Sequence, residues 1–438
     1  MQRKSKWVAA LIVLFAQQLC FAALSSEERR ISQLALQQEM SAMSLLKTIV
    51  NINSGTDNIA GVRRVGKMIR AQLNALGFKT KWVSEPASMH KAATLIATHP
   101  GKSGQRILLI GHLDTVFSRH DKAMHFKRVD KQHAKGPGII DDKGGVVVML
   151  SALRALQQAH ALKNTSITIV MTGDEEDSGK PTAISRKPLI DAAKNSDVAL
   201  DVEPSITKDT ATIARRGITM WTITSSGNQS HSATIFQSNV GAGAIFELAR
   251  MLNTMRTDNQ NEKYLSFNPG RILGGTTVTE DAKSARGNAF GKENVVAKTA
   301  LARGDIRFID TQQENTFKEK LLAIAKQHLP GTQSQVAFQQ GIPAMPPTEN
   351  NRRLLQQYSD VSTDLNMGAI KALDSGVRGA GDISFVASVV PASLSGLGPL
   401  GVGSHTTIEG MYVDSLSMQT QRLAILIYRL GNTDKQKN

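Results

Sequence analysis

The apolar residues of the chain repeat with two different periods, which separate predicted helices from predicted strands. Residues 59–76 and 146–162 show the spacing of amphipathic helices. Short apolar runs at 107–110, 166–171 and 198–202 are typical of buried strands. Because these strands alternate with helices, we predict a mostly parallel, doubly wound α/β sheet.

From residue 215 the order of the predicted elements changes. They are a strand at 218–225, a helix at 240–254, strands at 271–279 and 295–309, a helix at 316–328 and a strand at 335–339. This βαββαβ order predicts a small α+β domain. A linker with three prolines (341–347) follows, and helices at 352–366 and 415–430 resume the α/β pattern. The small domain, residues 215–345, would thus be inserted between two parts of a larger one, 24–214 and 346–438.

The first 23 residues have the pattern of a cleaved secretory signal peptide. Arg3, Lys4 and Lys6 precede an apolar stretch at 7–16, and Phe21-Ala22-Ala23 follows with two small residues for a signal peptidase. We therefore expect a periplasmic or secreted protein without a stable membrane anchor after cleavage. An uncleaved anchor helix and a lipoprotein signal are the weaker alternatives.

The cysteine content and the charge of the chain limit which metal ligands and binding partners are possible. Cys20 is the only cysteine and would leave with the signal, so a metal site must use histidines and carboxylates. The formal net charge is +15, but the basic residues are scattered and aromatic residues make up only 5% of the chain. This distribution predicts no nucleic-acid binding, although it could attract anionic substrates.

Histidines and carboxylates occur where the predicted strands end, which is where open α/β sheets carry their sites. They are His112 and Asp114 after the first strand, Glu175 and Glu176 after the second, Glu203 after the third, Asp141 in the glycine-rich loop 136–145, and His405 at the end of a Gly-rich turn. Each has an ordinary explanation: a hydrogen-bonded core pair, a solvated charge run, a helix cap or a plain turn. Their conjunction favours a metal centre. Two adjacent glutamates would repel each other, so we expect them to have different roles.

These segments together resemble the aminoacylase and carboxypeptidase group of dinuclear zinc peptidases, and their order is most similar to the glutamate carboxypeptidase branch. The resemblance implies two zinc ions per subunit, the first held by His112 and Glu203, the second by Glu176 and His405. Asp141 would bridge both ions, and a bridging hydroxide would attack the substrate. Asp114 would orient His112, and Glu175 would be the general base.

The same resemblance extends to the inserted domain, which in this family forms a dimer. His231, in Gly227–Ser232, would reach the active site of the partner subunit and stabilise the oxyanion. Asn294 and Arg307 would bind the carboxylate of the substrate, although a salt bridge with Asp305 is the alternative for Arg307. The chain is therefore expected to form a homodimer.

Two positions leave alternatives open. Asp201 lies two residues before Glu203 on the same side of a strand and competes with it as a ligand. The loop that ends at Asp382 appears one residue shorter than its counterpart in the family, which leaves the placement of Asp382 open.

The function that this resemblance implies is hydrolysis of the amide bond to a C-terminal amino acid with a free carboxylate. The alternatives are an N-acyl amino acid deacylase or a dipeptidase on the same two-zinc site. A non-catalytic exported binding protein is the alternative of another class, but it would be expected to lack Glu175 or a ligand, and neither is lost.

Overall fold

The computed structural model describes residues 24–122, 124–281 and 284–433. The predicted signal peptide, residues 1–23, lies outside these ranges. Within them, no helix combines the length and apolar character that crossing a membrane requires.

The first part of the larger domain contains six α-helices and eight strands in the described residues. In chain order they are α1 (Ser26–Gln37), α2 (Glu39–Val50), α3 (Ile59–Ala75), β1 (Lys79–Val83), β2 (Thr94–His99), β3 (Ser103–His112), β4 (Lys127–Arg128), β5 (His133–Lys135), α4 (Lys143–Gln158), β6 (Thr165–Thr172), α5 (Thr182–Ser185), α6 (Lys187–Ala193), β7 (Val198–Asp201) and β8 (Thr210–Ala211). After the inserted domain the larger domain resumes with its remaining elements.

The inserted domain, called the lid domain below, contains β9 (Gly217–Gly227), α7 (Ala244–Asn259), β10 (Ser266–Gly275), β11 (Thr277–Asp281), β12 (Arg286–Phe290), β13 (Thr299–Phe308), α8 (Thr311–Ala325) and β14 (Thr332–Ile342). The last part of the larger domain contains α9 (Glu349–Asp364), β15 (Lys371–Ala372), β16 (Ala392–Leu394), β17 (Gly401–Val402), β18 (Gly410–Tyr412) and α10 (Val413–Asn432).

The main sheet of the larger domain has six strands in the order β1-β2-β6-β3-β7-β16. The pairs β6/β3, β3/β7 and β7/β16 are parallel, whereas β1/β2 and β2/β6 are antiparallel. Strand β3 is buried on both faces: Ile107 and Leu109 pack in one apolar core, Leu108 and Ile110 in another. Both faces of the sheet are therefore covered, which confirms the predicted doubly wound α/β fold.

The lid domain has a four-stranded antiparallel sheet in the order β10-β13-β9-β14. Helices α7 and α8 pack on one face around Trp221, Met251 and Phe317. The βαββαβ order is confirmed, and β11 and β12 add a two-stranded ribbon that the sequence did not predict. Strand β10 lies at the edge of the sheet.

The positions where the helices begin differ from the prediction for local reasons. Helix α7 starts at Ala244 rather than 240, because Gly241 and Gly243 adopt positive φ and form a turn ahead of it. Helix α8 starts five residues early, since the Asp310 side chain accepts a hydrogen bond from the backbone N–H of Gln313 and caps it. Helices α1 and α2 had no counterpart in the prediction, although Ser25 and Glu28 form a capping box.

Candidate metal centre

The carboxyl ends of three neighbouring parallel strands meet at one edge of the main sheet. Strand β3 ends at His112, which pairs in register with Thr172 at the end of β6. Strand β7 ends at Asp201, two residues before Glu203. Helix α4 approaches the same edge closely, because a Cβ on Gly145 would lie only 1.9 Å from the carbonyl oxygen of Val202. These elements place the loops that carry the candidate ligands around one point.

His112, Asp141 and Glu176 form a compact cluster, with one ligand atom of each within 4.8 Å of the others. Asp141 divides its two carboxylate oxygens between two histidines: Oδ1 lies 3.1 Å from His112 Nε2, and Oδ2 lies 3.1 Å from His405 Nε2. His405 Nε2 also lies 3.2 Å from Glu176 Oε2. The cluster thus has two halves that share one carboxylate.

His405 reaches the cluster from a loop between β17 and β18. Its backbone has a φ of +66°, which is uncommon for a residue with a side chain. Its side chain is 54% exposed, whereas that of His112 is 2% exposed. One half of the cluster is therefore buried and the other opens to solvent.

Asp114 lies directly behind His112 and is fully buried. Its Oδ1 is 3.3 Å from His112 Nδ1, while its carboxylate also accepts the backbone N–H groups of Glu175 and Glu176 and the hydroxyl of Thr56. Burial alone would raise the pKa of Asp114, but the hydrogen bond and charge of His112 lower it. Asp114 thus joins the imidazole to the loop of the two glutamates.

Glu175 and Glu176 lie in different surroundings. Glu176 contacts His405 through Oε2, while its buried Oε1 has no hydrogen-bond partner in the described part of the chain. Burial raises the pKa of Glu175 well above its usual range, and the nearby charges of Asp382, Glu203 and Glu176 add to the rise against the effect of His112. Within the described part of the chain, His405 thus pairs with Glu176 and not with Glu175.

Glu203 is buried near this cluster but outside its compact group. Its Oε2 lies 2.9 Å from Arg215 Nη2 and also accepts a hydrogen bond from Arg378. Asp201 faces Arg215 at 3.3 Å and accepts the hydroxyl proton of Ser395. Burial alone would raise the pKa of Glu203, but the two arginines lower it. The structure therefore places both competing carboxylates on Arg215.

Glu409 is a buried residue of the site that the sequence reasoning missed. Its carboxylate accepts the backbone N–H groups of Gly138, Ile140 and Asp141, at 2.7, 2.9 and 3.2 Å. It thereby holds the glycine-rich loop that carries Asp141. Its position four residues after His405 was the one available signal in the sequence.

Arg186 and Asp382 form a second buried layer behind Glu175. Arg186 is fully buried and contacts Asp174 and Asp382, each at 2.7 Å. Asp382 also accepts a hydrogen bond from the Thr172 hydroxyl at 2.5 Å. The loop that ends at Asp382 is thus tied to the end of β6. No spacing pattern in the sequence pointed to Arg186.

The predicted lid residues His231 and Asn294 lie beside each other but apart from the cluster. Residues 231 and 295 form an isolated bridge, and the backbone N–H of Ser232 donates to the carbonyl of Asn294. Both side chains are exposed. Among the residues that the structure describes, no hydrogen bond or ion pair joins either of them to the five candidate ligands.

Arg307 lies on β13, with its side chain about one-third exposed. Its Nε donates to Asp305 Oδ2 at 3.0 Å, which is the salt bridge that the sequence left as the alternative. A Cβ on Gly379 would lie 3.5 Å from Arg307 Nη1, so the guanidinium also borders the 379–382 loop of the larger domain. The side chain therefore lies where the two domains meet.

The donor set fits divalent metal ions. It contains two imidazoles and several carboxylates, without a thiolate. Buried carboxylates accumulate here, and their mutual repulsion requires cations to offset it. The unpartnered Oε1 of Glu176 is a buried oxygen of the kind that binds a metal ion.

Comparison with known proteins agrees with this geometry. The family described as Peptidase family M20/M25/M40 matches residues 108–429. The chain belongs to this peptidase family. It is accordingly a metal-dependent hydrolase that acts on amide bonds, and the resemblance to the dinuclear zinc peptidases of the glutamate carboxypeptidase branch is confirmed.

Curated relatives match most of the chain. Carboxypeptidase G2 from Pseudomonas sp. (strain RS-16) is 27% identical over 416 residues, which is 94% of each protein. Succinyl-diaminopimelate desuccinylase from Acidiphilium cryptum (strain JF-5) is 25% identical over 394 residues, covering 86% of this chain and 95% of that protein.

Solved structures share the fold at low identity. Aminopeptidase PepT from Bacillus cereus ATCC 10987 has a TM-score of 0.72 at 17% identity, over 90% of this chain and 98% of that one. The YXEP protein of Bacillus subtilis, described as a dinuclear metal binding peptidase from the M20 family, has a TM-score of 0.62 at 13% identity, with the same coverage.

Proposed function

We propose that this protein is an exported two-zinc peptidase that hydrolyses the amide bond to a C-terminal amino acid with a free carboxylate. The main support for this proposal is the position of Asp141, whose two carboxylate oxygens lie 3.1 Å from His112 Nε2 and 3.1 Å from His405 Nε2. A carboxylate that bridges two metal ions needs this division. We assign the first ion to His112 and Glu203, the second to Glu176 and His405, and Asp141 to both.

When bound, the two ions would polarise the scissile carbonyl and lower the pKa of a water molecule. Side chains of the protein itself would transfer the proton and orient the ligands. Glu175 would accept the proton of the attacking water and pass it to the leaving amine. Asp114 would hold His112 in one orientation while it fixes the backbone of the Glu175 loop.

A free substrate carboxylate is the anion that Arg307 and Asn294 would bind. Among the described residues, Asp305 is the carboxylate that pairs with Arg307, through Nε, and Nη1 lies beside Gly379, so the two Nη groups could bind a carboxylate in a bidentate contact. The 27% identity with carboxypeptidase G2 over 94% of the chain favours this activity over the alternatives. An N-acyl amino acid deacylase or a dipeptidase would use the same metal centre.

A substrate panel separates these activities. Purified enzyme would be stripped with a chelator, reloaded with zinc, cobalt or manganese, and assayed on N-acyl amino acids, dipeptides and longer acyl-glutamates. Each substrate would have a partner whose C-terminal carboxylate is a carboxamide. We expect metal-dependent hydrolysis of the free acids only. Turnover that survives chelation would contradict the metal mechanism, and equal turnover of the carboxamides would contradict the carboxylate requirement.

The choice between Glu203 and Asp201 as a ligand has its own test. We expect Glu203→Gln to lose one metal equivalent per subunit, and Asp201→Asn to keep both, because Asp201 is held by Arg215 and Ser395. Metal content of the purified variants measures this. The reverse result would make Asp201 the ligand.

We further propose that His231 acts in the active site of a partner subunit. The support is its separation from the cluster of its own chain, together with exposed apolar residues on the lid domain: Phe236, Ile245, Phe246 and Ile272 are 49–68% exposed. Strand β10 of the same domain pairs with β13 on one side, and its other side has no partner strand among the described residues. A homodimer through this domain would bury both features.

Mixing two inactive variants tests this arrangement. Glu175→Ala and His231→Ala would each be inactive alone, but a mixed dimer holds one site with an intact Glu175 and an intact partner His231. Random reassociation should restore roughly a quarter of wild-type activity. No recovery from a mixture shown to exchange subunits would place His231 in its own chain's site or in none.

Export is the remaining part of the proposal. The support is the 1–23 sequence pattern alone. Mass spectrometry of protein recovered from a secreting host should find a mature chain that begins near residue 24. A full-length chain in the membrane fraction would indicate an uncleaved anchor instead.

A further inference from the structure

Three basic side chains line a small cavity on the larger domain, away from the metal centre. Arg63, Lys67 and Arg70 lie on one face of helix α3, at spacings of four and three residues. Trp82 of β1 forms a wall, and Ala92 and Ala93 are also part of the lining. The cavity volume is about 270 Å³. Since sites for drug-sized ligands measure ~300–1,000 Å³, this cavity suits a compact ion.

None of the three cations has a carboxylate within salt-bridge distance in the described part of the chain. Glu85 is close in sequence, but its carboxylate lies against Gly179 instead. Like charges four residues apart on a helix repel each other. The cluster therefore carries an uncompensated positive charge that a bound anion would offset.

Both arginines are already oriented by the protein. Arg63 Nε donates to the carbonyl of Ala92 at 3.0 Å, and Arg70 Nε donates to the Thr80 hydroxyl at 2.9 Å. These bonds use Nε and leave the terminal Nη groups without a hydrogen-bond partner among the described residues. A fixed guanidinium loses little conformational freedom when it binds an anion.

We propose that Arg63, Lys67, Arg70 and Trp82 form a second binding site, for a compact dianion of the phosphate or sulfate type. The three cations match a tetrahedral anion with several acceptor oxygens. The indole of Trp82 supplies an apolar wall, which would favour an ester with a flat group over the free ion. Binding of an anion at this site does not require the proposed peptidase activity.

The site lies one layer behind the loop of Glu175 and Glu176. Ala92, which accepts the hydrogen bond of Arg63, belongs to a segment that packs against Gly173, where an added Cβ would lie 2.6 Å from the Ala93 carbonyl oxygen. Lys91 in this segment forms an ion pair with Asp177 at 2.8 Å. An anion held by Arg63 would therefore restrain the segment that supports the catalytic loop.

Calorimetric titration with sulfate tests the site, with chloride at equal ionic strength as the comparison. Phenyl phosphate and inorganic phosphate form a second pair of probes that separate an ester from the free ion. The full zinc-loaded enzyme would be used, and Trp82 fluorescence would report occupancy locally, with Trp82→Phe to identify the signal. The double variant Arg63→Gln/Arg70→Gln removes both guanidinium groups from the cavity. Arg64→Gln, on the same helix but outside the cavity lining, is the matched control.

We expect one saturable equivalent of sulfate, bound at least about ten-fold more weakly by the double variant and unchanged in Arg64→Gln. Tighter binding of phenyl phosphate than of phosphate would identify an ester as the preferred ligand, and equal binding would identify the free ion. Non-saturable binding, or equal weakening by Arg64→Gln, would show only diffuse surface charge and overturn the proposal. Thermal melting of each variant checks that it is folded.

Discussion

The metal centre and the lid loop of His231 differ in how their residues are brought together. In the metal centre, five loops meet at the ends of parallel strands, so that residues as distant as His112 and His405 share the carboxylate of Asp141. In the lid, His231 and Asn294 lie beside each other and are exposed, and within the described ranges no hydrogen bond or ion pair joins them to the candidate ligands. One chain thus brings the proposed metal ligands together, whereas His231 and Asn294, two of the residues proposed to act on the substrate, stay apart from them.

This difference predicts that changes in the two regions separate metal binding from turnover. Changes in the cluster should affect both properties. Changes in the lid should affect hydrolysis of the substrate, through kcat or KM, and leave metal binding unchanged.

The largest effect is expected for Asp141→Asn. Its two oxygens face both halves of the cluster, and an amide replaces one of them with a donor that repels a cation. We expect loss of both metal ions and of measurable activity, checked by elemental analysis and by assay. Full metal content in Asp141→Asn would show that metal binding does not depend on the Asp141 carboxylate.

Glu175→Ala should lower kcat by about 10²–10⁴-fold, the contribution of a well-placed general base. Metal content should stay at the wild-type value, since Glu176 rather than Glu175 contacts His405. Asp177→Asn, two residues along the same loop, should retain activity. A parallel loss of metal would show that Glu175 is itself a ligand.

Arg378→Leu should weaken metal binding by roughly 10–100-fold, as expected for a residue that orients a ligand. Arg378 is bonded to Glu203, and its loss leaves this buried carboxylate on Arg215 alone. Competition with a metal-sensitive dye measures the affinity. Arg352→Leu, an exposed change on α9, controls for stability. Unchanged affinity would mean that Glu203 does not depend on its arginine partners.

The smallest effect is expected for Arg307→Lys, a conservative change in the lid. Arg307→Lys should raise KM by about ten-fold and leave metal content unchanged, because an ammonium cannot form the bidentate contact of a guanidinium. Arg303→Lys is the control on the same strand, where Arg303 pairs with Glu280 instead. A change in metal content from Arg307→Lys would remove the distinction between the two regions.

The sequence alone determined the fold class and showed where the candidate ligands and the candidate general base stand along the chain. Apolar periodicity marked β3, β6 and β7, and the histidines and carboxylates stood at their ends. These signals are local, because a buried strand needs an apolar run and a site needs a polar residue just after it. The helix starts were less accurate, since side chains such as Asp310 and glycines at positive φ set them.

Only the tertiary structure decided which residues surround the candidate ligands. Arg186, Arg215, Arg378 and Glu409 are buried by elements far away in the sequence, and a lone arginine or glutamate carries no periodic signal. Glu409 reaches the Asp141 loop from 268 residues away. Partners at such distances are fixed by packing of the whole domain, because each buried charge must find an opposite charge or a hydrogen bond wherever the fold provides one.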